Sequence, residues 1–96
     1  MSLNRPSSVE WFGRSGTIQD EPVTIFPRNP HRIGAHFQNQ GTDPMWLVIT
    51  DGHDTEVCRY KVMPNETWYC EEFAPINTVG VLGTAGQPFA ASEYGI

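Results

Sequence analysis

Two cysteines, Cys58 and Cys70, are all that the 96-residue sequence contains. That is too few for a disulfide framework to stand in for a hydrophobic core. Both are read as reduced, small core or half-buried residues. A one-residue change of register would decide whether they face each other or opposite sides of a sheet. Basic residues are also scarce: six against eleven acidic ones, for a formal charge of −5. So few lysines and arginines leave little to neutralise phosphates, which excludes nucleic acid as an expected partner. Nor is there a basic patch to hold a membrane surface. No apolar window approaches the about 18 residues of a transmembrane helix. The opening MSLNRPSSVEWFGRSG lacks the apolar stretch of a secretory signal. The expectation is a soluble protein made in the cytoplasm, which could leave the cell within a particle.

Helical periodicity is missing throughout. In its place are eight prolines, nine glycines and an apolar fraction of 39%, a mixture suited to short strands joined by turns. A chain of this length buries roughly 65% of its unfolded surface, which permits one thin core. Residues 1–16 read as an extended arm ahead of a single β domain, 17–96. Trp11-Phe12 sits inside that arm, a costly pair to leave in water. It either caps the domain's own core or anchors the arm on a neighbouring subunit. In the second case, deleting residues 1–15 would leave a folded domain that no longer binds.

From Thr17 onward apolar residues alternate. VTIF, bracketed by Pro22 and Pro27, reads as an edge strand. Ile33, Ala35 and Phe37 alternate with Arg32, Gly34, His36 and Gln38, giving a strand with a wet outer face. QNQGTDP reads as a hairpin corner, because Gly41, Pro44, Asn39 and Asp43 supply turn chemistry. MWLVIT is apolar on both faces and should be central. DGHD closes a hairpin, and TEVCRYKV returns with Cys58, Tyr60 and Val62 on one face. MPNE reverses the chain into ETWYCEEF. INTVGVLG and FAASEYGI complete the domain, the last as an edge strand. About seven strands, spaced near 10 residues apart, predict a small antiparallel β-sandwich or barrel.

No catalytic, cofactor or metal site is expected. His31 and His36 are five apart and project to opposite faces of a regular strand. His53 with Asp51 and Asp54 reads as turn chemistry. GVLGTAG has neither dinucleotide nor P-loop spacing. Glu71-Glu72 point apart, unlike a glycosidase pair, and no nucleophile signature is present. Three tryptophans and three tyrosines remain to be explained. On strands with one buried face, some of these rings must meet water, a ligand or a partner. Trp11, Phe12, Trp46, Trp68 and Tyr94 are the candidate partner-binding residues.

The order PVTIFP, RIGAHFQNQG, a hydrophobic strand, MPNETWY and VLGTAGQPFA resembles small β-structured virion proteins of tailed bacteriophages, over residues 22–93. Asn65 stands where the family's middle turn carries glycine, and asparagine tolerates the same left-handed backbone. The resemblance implies a non-enzymatic capsid decoration or cement protein on the virion surface. It would be a homo-oligomer, a trimer by analogy, and bind the major capsid protein or another virion protein through the arm and sheet edges. The alternative is a carbohydrate- or receptor-binding module of a fibre or tail, with Trp46, Trp68 and the QNQGTDP amides lining the ligand site.

Overall fold

A computed structural model describes residues 10–51, 53, 55–70 and 75–95, except the side chains of residues 10–12 and 14. Every regular element described is a strand: β1 (Glu10–Thr17), β2 (Val23–Phe26), β3 (Arg32–Asn39), β4 (Met45–Thr50), β5 (Glu56–Val62), β6 (Thr67–Cys70), β7 (Thr78–Gly83) and β8 (Pro88–Gly95). They form two antiparallel sheets, ordered β1-β8-β3-β6 and β2-β7-β4-β5. Of the consecutive strands only β4 and β5 lie side by side, as the DGHD hairpin predicts. All other connections cross between the sheets, which is the strand order of an eight-stranded jelly roll.

The core lies between the sheets. Ala35, Phe37, Phe89 and Ala91 from one face Ile25, Met45, Leu47, Ile49, Val62, Val79 and Val81 from the other, with Ile18 beside them. Phe37 and Phe89 stack with ring centroids 5.6 Å apart. Strand β4 is central, between β7 and β5, and β2 is an edge, both as its residues predict.

Four expectations need correction. First, Glu10–Thr17, most of which falls in the stretch 1–16 read as an arm, pairs along its length with β8. This raises the strand count to eight. Its glycines and serines hide the alternation that a core-facing strand would show. Removing residues 1–15 would therefore strip most of an edge strand. Second, β8 is not an edge strand, because β1 and β3 flank it. Third, QNQGTDP is not a hairpin corner: it carries the chain from β3 in one sheet to β4 in the other. Fourth, Arg32 does not face water. The register with β8 shifts between Arg32 and Gly34, and that bulge turns Arg32 inward, leaving it 4% exposed. A second shift in β2, between Thr24 and Phe26, lets Ile25 and Phe26 both be buried.

The MPNE turn forms as its residues require. Glu66 N donates to Met63 O at 2.9 Å, Pro64 takes the first central position, and Asn65 has φ 66°. That is the left-handed conformation a type II turn demands at its second central residue. Gly34 meets a different constraint. A β-carbon there would run into the Tyr94 ring, which lies across it. Gly34→Ala is expected to push that ring off the sheet and cost about 1–3 kcal/mol. Urea denaturation would measure the loss, and the His36 ring signals would report the departure of Tyr94.

Candidate functional site

The five candidate residues do not converge on one site. Trp11 and Phe12 pair through their backbones with Tyr94 and Glu93, but their side chains lie outside the described residues. Trp46 emerges on the outer face of its sheet, between Lys61 and Leu82 in register. Its ring is covered by two cations: the Arg59 guanidinium lies 5.8 Å and the Lys61 ammonium 5.5 Å from the ring centre. Cation–π attraction and the long aliphatic stems hold those side chains there. Trp68 faces the other way, inward, opposite Phe37, and packs against the core cluster. The QNQGTDP corner is engaged elsewhere. Asn39 Nδ2 donates to the carbonyls of Asp43 (2.8 Å) and Val62 (2.9 Å), and Gly41 N donates to Asn39 Oδ1 (2.8 Å). Thr42 and Asp43 donate to Gln87 Oε1 from the facing turn. Of the corner's side-chain amides Asn39 is thus used internally, Gln40 Nε2 donates to Gln38 Oε1 at 3.1 Å on the surface, and the two tryptophans lie on different faces.

Tyr94 has closer company. On the outer face of the β1-β8-β3-β6 sheet, register places Ser92, His36 and Tyr69 in one row and Ala90, Gln38 and Thr67 in the next. The His36 ring meets Tyr69 edge-on at 5.9 Å and Tyr94 at 6.4 Å. A shallow groove of about 390 Å³ runs over His36, Gln38, Thr67, Ala90 and Ser92. The alternation of β3 places His36 on the outer face, and its spacing from His31 argues against a shared metal ion. Its role beside two tyrosines needed the β3–β6 and β3–β8 registers.

The expected turn chemistry is present at Asp51, whose Oδ1 accepts from His53 N at 2.7 Å and Thr55 N at 3.0 Å. No cluster of three or more metal-ligating side chains occurs among the described residues. Glu71 and Glu72 lie outside them. GVLGTAG ends in a backbone bend: Gly86 has φ 90°, and its N–H donates to Ile18 O. No helix among the described residues is long and apolar enough to cross a membrane.

The open side of the sandwich, where β5 and β6 face each other, was not singled out by the sequence reading. Four of the five exposed large apolar side chains among the described residues lie on these strands and their turn: Val57 (62%) on the outer face of β5, Tyr60 on its inner face, Met63 in the turn, and Tyr69 (64%) on the outer face of β6. Inside the same seam the Tyr60 and Trp68 rings sit 5.7 Å apart. Cys58 and Cys70 pack beside them against the core. The Tyr60 hydroxyl is held above its usual pKa, first by the charge of an ionised Cys58, then by a hydrogen bond to that thiol, by burial and by the charge of Cys70. On the outer side, Arg59 forms a bidentate pair with Glu56, at 2.8 and 2.6 Å. That contact lowers the Glu56 carboxyl and raises the guanidinium.

Comparison with known proteins gives a fold. No protein-family model and no curated protein matches the chain in sequence. A solved structure of a Bacillus endospore appendage protein, from a family of disulfide-linked pili, is 18% identical and has a TM-score of 0.62. The match covers 99% of this chain and 94% of that one. The two chains share their fold from end to end. The protein PirA, at 13% identity over 95% of this chain and 96% of its own, has a TM-score of 0.44, too loose a likeness to bear on the fold.

Proposed function

We propose that this chain is a non-enzymatic structural subunit that assembles through the β5–β6 side of its sandwich into an appendage or particle. The observation that carries the reading is that Val57, Tyr60, Met63 and Tyr69, four of the five large apolar side chains exposed among the described residues, all belong to β5, β6 and the turn between them. Apolar groups collected on two neighbouring edges favour a partner over water. Strands β5 and β6 each pair on one flank only, so each presents a row of backbone donors and acceptors for strand addition. The fold shared with a subunit of disulfide-linked pili supports assembly by fold analogy alone.

A narrower form of the reading is the capsid decoration protein implied by the resemblance to phage virion proteins, with a shell protein as partner and a trimer as its state. Jelly rolls also build viral shells, which favours keeping it. The two forms differ in what the purified chain does alone.

Light scattering and electron microscopy over a rising concentration series test the proposal. Fibres support the appendage form; discrete small oligomers support decoration. The double substitution Val57→Lys/Tyr69→Lys, which places charges on both edges, is expected to shift either assembly to monomer while leaving the β spectrum unchanged. A wild-type chain that stays monomeric at the highest concentration, or a double variant that assembles as well as wild type, would overturn it.

A further inference from the structure

The turn Met63–Glu66 joins two strands that belong to different sheets and lie across the sandwich from each other. The inward-facing residues of the two strands can be followed outward from that turn. Tyr60 lies three residues before Met63 and Trp68 two residues after Glu66, and their rings meet, 5.7 Å apart. The next inward-facing position outward is Cys58 on β5, in register with buried Ile49. On β6 it is Cys70, in register with buried Ala35. Each thiol therefore lies one inward-facing step beyond the observed ring contact, on strands that face each other across the seam. Both are half-buried and rest on the core cluster.

Spacing selects the chemistry such a pair can do. Facing sheets lie about 10 Å apart, whereas a disulfide needs its Cα atoms within about 4.4–6.8 Å. Replacing the single S–S bond by two metal–sulfur bonds of about 2.3 Å each widens the reach toward the sheet spacing. Zinc would require about four protein ligands in a structural site, and no third His, Cys, Asp or Glu joins the pair among the described residues. A soft ion content with few thiolate ligands remains, and copper(I) is that ion.

We propose that Cys58 and Cys70 form an inter-sheet dithiolate site for a monovalent soft metal ion of the copper(I) class, which bridges β5 to β6. On binding, each thiol releases its proton to solvent and each sulfur donates an electron pair to the ion. The ion keeps its oxidation state, so no oxidant is needed. The site lies inside the seam and is independent of the assembly proposed above.

Anaerobic titration of the reduced chain with copper(I), against a chromophoric chelator, tests this. The expected result is one ion per chain with a sulfur-to-metal charge-transfer band and no change in molecular mass beyond the ion. Cys58→Ser and Cys70→Ser are each expected to weaken binding by at least about 100-fold, because either one removes the chelate. Repeating the titration on Val57→Lys/Tyr69→Lys separates the site from assembly: unchanged one-to-one binding supports it there too. Two ions per chain, single variants that bind as tightly as wild type, or an ion that appears only between two chains would overturn the proposal.

Discussion

Glu93→Ala is expected to destabilise the fold by about 3–5 kcal/mol, because it strands a buried guanidinium. The Arg32 and Glu93 side chains are 0% and 3% exposed, with Arg32 Nε 3.1 Å from Glu93 Oε1. The other two guanidinium nitrogens are used as well. Nη1 donates to the carbonyls of Pro75 and Asn77, and Nη2 donates to that of Pro27. Asn29 Nδ2 adds a bond to the same carboxylate oxygen at 3.1 Å, and the Phe26 ring lies 5.2 Å from the guanidinium carbon. One side chain thus ties β3 and β8 to the connections entering β3 and β7, and so ties one sheet to the other. Arg32→Lys keeps the charge but loses the planar fork, so it should cost nearly as much as removal. The double change Arg32→Met/Glu93→Leu leaves no orphaned charge and should cost less than the sum of the single changes, with a coupling of about 1–3 kcal/mol. Urea midpoints for the four proteins decide this. Strict additivity would mean that the pair is not acting as a unit.

Asn39→Ala should cost about 2–4 kcal/mol, the next largest effect, since it orphans two carbonyls and one N–H at a fully buried position. Asn39 is 0% exposed. Its amide bonds the corner at Asp43, the end of β5 at Val62, and Gly41. Its backbone also engages the β5–β6 turn, accepting from Asn65 N and donating to Glu66 O. Asn39→Asp is the sharper probe. It keeps the acceptor for Gly41 N but sets an oxygen against the Asp43 and Val62 carbonyls. Burial and those carbonyls would raise the folded-state pKa of the new carboxyl above its unfolded value near about 4. The protonated form can still donate one bond. Its contribution is therefore fully present below the unfolded pKa and is lost as pH rises through the raised folded one. Relative to Asn39→Ala, this variant should gain stability between about pH 7 and about pH 4. Urea titrations at both pH values would show it, and parallel pH profiles for the two variants would rule it out.

What could be read from the chain came from short-range pattern. Alternation around Phe37, Leu47 and Val81 marks core strands, because a period of two sends alternate side chains to one face. Pro64-Asn65 and Asp51-Gly52 mark turns through their own dihedral preferences. Strand type, the central place of β4 and the edge place of β2 follow from these local rules.

The tertiary structure decided everything that depends on register or on which sheet a strand joins. Arg32 reads as a polar outer-face residue until a bulge reverses its direction, and one inserted residue is not visible in composition. Strand β1 carries too few apolar residues to declare itself, and pairing with β8 makes it one. The β5–β6 seam is likewise unreadable along the chain. Cys58, Tyr60, Trp68 and Cys70 line the inside of one seam because the Met63–Glu66 turn crosses from one sheet to the other. A hairpin there would have set the same residues side by side within one sheet. Local sequence determined that this is an all-β domain and where its turns fall. Long-range pairing, which no local preference specifies, determined which charges are buried, which edges stay open and which side chains meet across the seam.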